Sequence, residues 1–191
     1  MSENKRDYRD GSLFSLEKVI MSSVKDRVNY QKRLGDFIGR QSALVGKKSE
    51  VRYCWKCNGT EILYQEEELP LITKNKRFKS AKLITAICSK CGEKYYNRKE
   101  TKQLEEIDKI INSYSCEGNN NVVVHSVSYC EVCESDNIEN VELEVYLLSK
   151  DSKIISVTIQ EDCCTRCNAV YYADEGDQMA MEHLKYFFLT Q

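Results

Sequence analysis

Eight of the ten cysteines in this 191-residue chain form four C-x-x-C pairs whose spacing repeats. The pairs are Cys54/Cys57, Cys88/Cys91, Cys130/Cys133 and Cys164/Cys167. In both halves 30 residues separate the inner cysteines, and an offset of 76 positions carries the first four cysteines onto the second four. The same offset matches the pairs Tyr95–Tyr96 and Tyr171–Tyr172. The chain is therefore predicted to be an ungapped tandem duplication.

Paired cysteines at this spacing are typical of structural zinc sites. A C-x-x-C turn presents two thiolates to one ion, and two such turns complete a tetrahedral Cys₄ shell with no open position for a substrate. We therefore expect two structural Zn²⁺ ions, one for each repeat, whose binding supplies much of the folding free energy. The alternatives are iron, which also accepts tetrahedral thiolates, and a redox-active dithiol, although no βαβ pattern surrounds the pairs.

The residue after each second cysteine is predicted to adopt left-handed backbone, which Gly and then Asn accept most easily. Repeat 1 has Asn58-Gly59 and Gly92 at these turns, whereas repeat 2 has Glu134-Ser135 and Asn168. Turn chemistry thus favours repeat 1, and we expect any weaker metal site to be the one in repeat 2.

The remaining cysteines and the two histidines are not expected to bind metal. Cys164 matches Cys88 under the offset, so its neighbour Cys163 is predicted to point to the other face of a strand and to pack as a small hydrophobe. Cys116 has no counterpart and is interpreted as an ordinary free thiol. His125 and His183 fall opposite non-ligand positions of repeat 1.

Each repeat shows the pattern of an antiparallel hairpin followed by a short strand and a helix. Alternating apolar residues precede a turn and a β-branched strand in repeat 2, and an apolar face marks a helix over 98–114. The predicted fold is α+β, with two zinc-ribbon-like modules after an N-terminal helical segment. The predicted boundaries are 1–50 for that segment, 51–114 for module 1, 115–128 for a linker and lead-in strand, and 129–191 for module 2.

The N-terminal segment carries an imperfect apolar stripe at helical spacing, with Gly35 as a candidate break. Its members are Leu13, Leu16, Ile20, Val24, Val28, Leu34 and Ile38. A stripe of this kind more often packs on its own protein, but its distance from the repeats leaves homodimerisation through the helix as the alternative.

Charge is distributed unevenly although the net charge is only −2. Residues 1–52 carry a net charge of +5, residues 53–115 carry +3 and residues 116–191 carry −10. No apolar stretch is long enough to span a bilayer, and the polar start resembles no secretory signal. These features predict a cytoplasmic protein without membrane contact, in a compartment where disulfides are rare.

Repeat 1 resembles the YgiT/MqsA-type zinc finger family. The pattern is C-x-x-C-x-G, a hairpin of about thirty residues and C-x-x-C-G-E, carried here by Cys54–Gly59 and Cys88–Glu93. The resemblance covers about 60 of 191 residues. It implies a structural zinc in a small α+β module that, in antitoxins of that family, binds the toxin. Those antitoxins bind DNA through a helix-turn-helix domain, whereas this chain has a second zinc module in that place.

The function expected from these features is non-enzymatic, antitoxin-like or inhibitor-like binding of another protein. Fourteen acidic residues after position 115 suit a partner that is basic or itself binds nucleic acid. The alternative is a nucleic-acid-binding regulator that uses the basic N-terminal half and a turn around Phe78. The cations of that turn are Lys74, Lys76, Arg77, Lys79 and Lys82. An enzyme is not expected, because no nucleophile elbow, phosphate loop or open metal site is present.

Overall fold

Two antiparallel hairpins with matching registers form the framework of the protein. The computed structural model describes residues 24–74, 76–115 and 127–190. Its strands are β1 (Ile62–Pro70), β2 (Phe78–Cys88), β3 (Lys94–Tyr95), β4 (Ile138–Tyr146), β5 (Ile154–Cys164) and β6 (Val170–Tyr171). Ile62 faces Cys88 in the first hairpin, and Ile138 faces Cys164 in the second. Strand β3 pairs with β2, and β6 pairs with β5.

The two hairpins join edge to edge in one six-stranded sheet of order β1-β2-β5-β4. Ala81 of β2 faces Val157 of β5, and these two residues are equivalent under the 76-residue offset. On either side, Ser80 faces Thr158, which is the counterpart of Lys82, and Lys82 faces Ser156, which is the counterpart of Ser80. The pairing therefore has an approximate two-fold axis between Ala81 and Val157, as in the self-complementary interface of a symmetric dimer.

Two of the three helices in the described part of the chain lie together on one face of the sheet. The helices are α1 (Val24–Ser42), α2 (Arg98–Tyr114) and α3 (Glu175–Leu189). Asn97 and Glu100 form a reciprocal capping box at the start of α2, and Asp174 caps α3. A Cβ at Gly176 would lie 2.5 Å from the carbonyl oxygen of Tyr114, so the close approach of α3 to the end of α2 requires glycine.

The main core lies between these two helices and the two central strands. Its buried residues include Ile107, Ile111, Met181, Leu184 and Phe188 from the helices and Phe78, Leu83, Ile154, Val157 and Ile159 from the strands. Since both repeats contribute to this core, burial of apolar area holds the two copies together. The α+β class predicted from the sequence is confirmed.

The opposite face of the sheet is covered by α1 over repeat 1. Phe37 of α1 is buried against Tyr64, Ile84 and Ala86 of repeat 1. The amide nitrogen Nε2 of Gln41 donates a hydrogen bond to the carbonyl of Ser152 in repeat 2 (2.8 Å). This helix therefore contacts both repeats.

The equivalent positions of repeat 2 are polar, which explains why no described helix covers them. Asn140, Gln160 and Asp162 stand where repeat 1 has Tyr64, Ile84 and Ala86. Their side chains hydrogen-bond to one another at the surface, Asn140 to Asp162 at 2.8 Å and Gln160 to Asn140 at 2.6 Å. Burying these groups under an apolar helix would cost free energy.

The predicted break at Gly35 is wrong, because α1 runs through it from Val24 to Ser42. Nothing within 4 Å would meet a side chain at this position, so glycine here lowers helix propensity without ending the helix. Of the predicted stripe, Ile38 remains 38% exposed, and the buried residue of the turn is Phe37. The stripe residues Leu13, Leu16 and Ile20 lie outside the described residues.

Candidate metal centres

The eight paired cysteines lie in two groups of four, one in each repeat. In site 1 the Sγ atoms of Cys54 and Cys91 are 3.4 Å apart, and those of Cys57 and Cys88 are 3.6 Å apart. Site 2 has the same separations, 3.4 Å and 3.6 Å, between the equivalent atoms. These distances are far too long for disulfides. They are close to the roughly 3.8 Å edge of a tetrahedron with Zn–S bonds of about 2.3 Å.

Each C-x-x-C turn is closed by backbone hydrogen bonds to the carbonyl of its first cysteine. The N–H of Asn58 donates to the carbonyl of Cys54 at 2.8 Å, and the N–H of Glu134 donates to that of Cys130 at 2.7 Å. The turn forces positive φ on the donor, 56° at Asn58 and 55° at Glu134. Left-handed backbone, predicted at this position, is therefore confirmed. Glu134 lacks the conformational tolerance of Asn or Gly, so site 2 has the more strained turn.

The second turn of each site shows the same geometry with more suitable residues. Gly92 has a φ of 73° and Asn168 has a φ of 60°. The N–H of Gly92 donates to the carbonyl of Cys88, and the N–H of Asn168 donates to that of Cys164, both at 2.8 Å. Both residue types enter the left-handed region readily. The strain that distinguishes the two sites is therefore concentrated at Glu134.

A tyrosine hydroxyl supports each site from outside the group of four sulfurs. The hydroxyl of Tyr171 donates to the Sγ of Cys130 (3.1 Å) and accepts from the N–H of Glu131 (3.0 Å). In repeat 1 the hydroxyl of Tyr95 accepts from the N–H of Trp55 at 3.0 Å and hydrogen-bonds the Sγ of Cys54. In the sequence these tyrosines stand out only as residues that repeat, and the spacing of the cysteines does not predict their role at the sulfurs. Their retention beside the cysteines was the signal that could have indicated it.

Hydrogen bonds and burial give the thiols of each group different pKa values. Burial raises the pKa of Cys54, but hydrogen bonds from the Tyr95 hydroxyl, from backbone N–H groups and from Cys91 outweigh burial and lower that pKa to about 6. The same balance, with Tyr171 as donor, lowers the pKa of Cys130 to about 6. Burial and thiol neighbours raise the pKa of Cys133 to about 12. Each site thus has a thiol that ionises below the usual range of cysteine, and metal ligation requires the thiolate.

Cys163 is buried beside site 2 without belonging to it. Its thiol contacts the carbonyl of Cys164 at 3.8 Å, and burial raises its pKa. This placement agrees with packing as a small hydrophobe. His183 stacks edge-on against Tyr114 with ring centroids 5.9 Å apart, away from both sites. Cys116 and His125 lie outside the described residues.

In the turn proposed for nucleic acid, Arg77 and Lys82 form ion pairs with repeat 2. The ammonium of Lys82 lies 2.7 Å from a carboxylate oxygen of Glu144, and Arg77 contacts Asp174 and Asp177. Phe78, at the centre of the turn, is buried in the main core. The side chains of Lys74, Lys76 and Lys79 are exposed, and the backbone N–H of Lys74 donates to Asn112 at 2.8 Å.

Arg77 lies against three carboxyl groups of repeat 2. Besides Asp174 and Asp177, the carboxyl of Glu161 approaches its Nε at 4.0 Å and accepts the N–H of Ala173 at 2.8 Å. Burial raises the pKa of Glu161 to about 8, and the nearby Asp177 and Asp174 add to the increase. Lys153, the counterpart of Arg77 in repeat 2, pairs in turn with Glu100 of α2 at 3.1 Å. A cation of each repeat is therefore paired with carboxylates of the other repeat.

The exposed residues around the two sites differ in chemistry. We define rim 1 as Arg52, Trp55, Lys56 and Lys90, and rim 2 as the equivalent residues Ser128, Glu131, Val132 and Arg166. Trp55 is 78% exposed, although its backbone N–H donates a hydrogen bond to the hydroxyl of Tyr95. Lys56 forms a 2.8 Å ion pair with Glu93. Rim 1 thus joins a large exposed aromatic to three cations, whereas rim 2 has one cation beside an acidic residue.

Comparison with known proteins finds no matching family model, curated protein or solved structure. Within the described parts of the chain, no helix has the length and apolar character needed to cross a bilayer.

Proposed function

We propose that this protein is a non-enzymatic, zinc-stabilised binding module that regulates another protein through rim 1. Both Cys₄ groups hold a structural Zn²⁺ in this proposal, because four thiols at tetrahedral spacing leave no coordination position for a substrate. The resemblance of repeat 1 to the YgiT/MqsA-type zinc finger supports the same two roles, structural zinc and antitoxin-like or inhibitor-like binding of a protein.

The observation that carries the proposal is the exposed indole of Trp55 on a rigid turn. Exposing a tryptophan to water costs hydrophobic free energy, and large exposed aromatics are typical of binding surfaces. The turn beneath Trp55 is fixed by two cysteines of site 1 and by the hydroxyl of Tyr95, so little entropy would be lost on binding. Repeat 2 has the same turn with Glu131 in place of the indole.

A matched pair of variants tests the role of rim 1. We expect Trp55→Ala to reduce capture of the partner from cell extract by at least about tenfold, as for a central interface residue. Glu131→Ala alters the equivalent position of repeat 2 and should leave capture unchanged. Both variants should retain two equivalents of zinc. Equal capture by Trp55→Ala and the parent protein would contradict the proposal.

Nucleic acid is the second candidate partner for the same surface. Rim 1 carries Trp55 together with the exposed cations Arg52, Lys56 and Lys90, of which Lys56 is paired with Glu93. Single-stranded nucleic acid is bound by aromatic stacking beside cations. The turn at residues 74–82 contributes fewer free cations than its sequence suggests, because Lys82 is paired with Glu144.

Salt dependence separates the two candidates. Binding of a fluorescent single-stranded oligonucleotide that weakens steeply with salt and is lost in Trp55→Ala would favour nucleic acid. Absence of oligonucleotide binding at low salt, together with Trp55-dependent capture of a protein, would favour the protein partner. We expect the second result.

A further inference from the structure

A surface cavity lies where α1, the turn after β4 and the end of α3 meet. Its volume is about 520 Å³, within the range of small-molecule sites. The lining side chains that matter here are Arg33, Arg40, Lys150, Phe37, Leu148 and Leu189. None of the eight paired cysteines lines the cavity.

Three cations line this cavity. Arg33 and Arg40 are seven positions apart on α1, which places them on one face about 10 Å apart along the helix axis. Lys150 approaches from the turn after β4. Asp36 also lines the cavity, but among the described residues no ion pair joins it to any of the three cations. The four charged side chains that line the cavity therefore sum to about +2, which favours an anion.

The floor of the cavity is apolar. Phe37 and Leu148 are almost fully buried there, and Leu189 at the end of α3 remains 44% exposed. Leu189 is thus an incompletely covered apolar wall facing the same space as the cations. An inorganic anion would contact the cations alone and leave this apolar wall in water.

We propose that this cavity binds a monomeric anionic amphiphile, a single phosphate or carboxylate on an apolar chain or ring. The anion lies among Arg33, Arg40 and Lys150, and the apolar body packs on the exposed Leu189, beside the already buried Phe37 and Leu148. Because the ligand contacts α1, β4–β5 and α3 together, its binding stabilises the packing of α1 on the repeats. This site is separate from rim 1, so it does not depend on the proposed function.

Calorimetric titration of the zinc-loaded full chain tests this site with three defined probes. Decyl phosphate, below its micellar concentration, should bind in a 1:1 complex. Inorganic phosphate should bind at least about tenfold more weakly because it lacks the apolar body, and uncharged decanol should be similarly weak because it lacks the anion. Equal affinity for decyl phosphate and either other probe would overturn the proposal.

Variants locate the binding within the protein. The double variant Arg33→Gln/Arg40→Gln should weaken decyl phosphate binding at least about tenfold, since two charge-assisted contacts are lost. Lys102→Gln, which neutralises an exposed cation on α2, is the matched control and should have no effect. Zinc content and circular dichroism of the variants establish that they fold. Unchanged binding by the double variant would overturn the proposal.

Binding to vesicles distinguishes a lipid headgroup in a membrane from a free amphiphile of the same chemistry. Co-sedimentation with phosphatidylglycerol vesicles that depends on Arg33 and Arg40, without binding of monomeric decyl phosphate, would overturn the proposal in favour of membrane contact. Binding of the monomer with no vesicle association supports it.

Discussion

At the residue scale, spacing identifies the eight cysteines that the structure brings together, because each C-x-x-C turn is a local feature. The left-handed backbone after the second cysteine could be predicted for the same reason. The hydrogen bond from Tyr171 to Cys130 could not, since it joins residues 41 positions apart through β6. Its prediction required the pairing of β6 with β5, which brings the hydroxyl to the sulfur.

Removing that hydroxyl should weaken metal binding at site 2. We expect Tyr171→Phe to lower zinc affinity by about tenfold or more, because hydrogen bonds to ligands tune metal sites on that scale. Competition with a chromophoric chelator measures the change. Tyr186→Phe removes a hydroxyl from a tyrosine that is 68% exposed on α3 and serves as the control. Equal affinities in the two variants would refute a supporting role for Tyr171.

Strain at Glu134 should also be measurable. The variant Glu134→Gly removes the steric strain of a non-glycine residue in left-handed backbone. It should stabilise the zinc-loaded protein by about 1 kcal/mol. Asn58→Gly, at the equivalent turn of repeat 1, should change stability less because Asn already tolerates this conformation. Urea unfolding of both variants gives the two free energies. A greater gain from Asn58→Gly would show that the turns differ for another reason.

At the element scale, the pattern of apolar residues was informative for strands and less so for α1. The strand of repeat 2 over IISVTIQ has β-branched residues on both faces, which favours a position inside a sheet. The apolar pattern predicts a break at Gly35 and places Ile38 on the packing face of the helix. Packing against the sheet instead sustains α1 through Gly35 and buries Phe37, since tertiary contacts outweigh a small propensity cost.

The carboxyl of Glu161 between β5 and α3 should make stability depend on pH. Its pKa of about 8 in the folded protein exceeds that of an unfolded glutamate, so the folded state binds the proton more tightly. The free energy of unfolding should therefore fall as pH rises from about 6 to above 8. Glu161→Gln, which cannot ionise, should become more stable relative to the parent protein over that range.

Urea unfolding at pH 6 and at pH 8.5, with saturating zinc in both, measures this effect. The difference between Glu161→Gln and the parent protein cancels the pH dependence of zinc binding, which both proteins share. Glu139→Gln alters an exposed glutamate on β4 and is the control. A difference that stays constant with pH would mean that Glu161 is already ionised in the folded state.

At the scale of the whole molecule, the duplication was visible in the sequence but its assembly was not. Equivalent residues Ala81 and Val157 face each other across the approximate two-fold axis, so the copies pair as a symmetric dimer would. Nothing in the cysteine spacing specifies this contact. The assembled fold explains why the two copies differ at equivalent positions. Tyr64 and Ile84 are apolar and are covered by α1, whereas Asn140 and Gln160 are polar and face solvent.

We infer that each repeat holds its own zinc ion as part of one fold, and the number of bound metal ions tests this inference. Native mass spectrometry of the protein and of the variants Cys88→Ser and Cys164→Ser counts the bound ions. We predict two Zn²⁺ in the parent protein and one in each variant, with the remaining ion in the unaltered repeat. A folded parent protein that binds no zinc, or a single ion lost in both variants, would contradict the account.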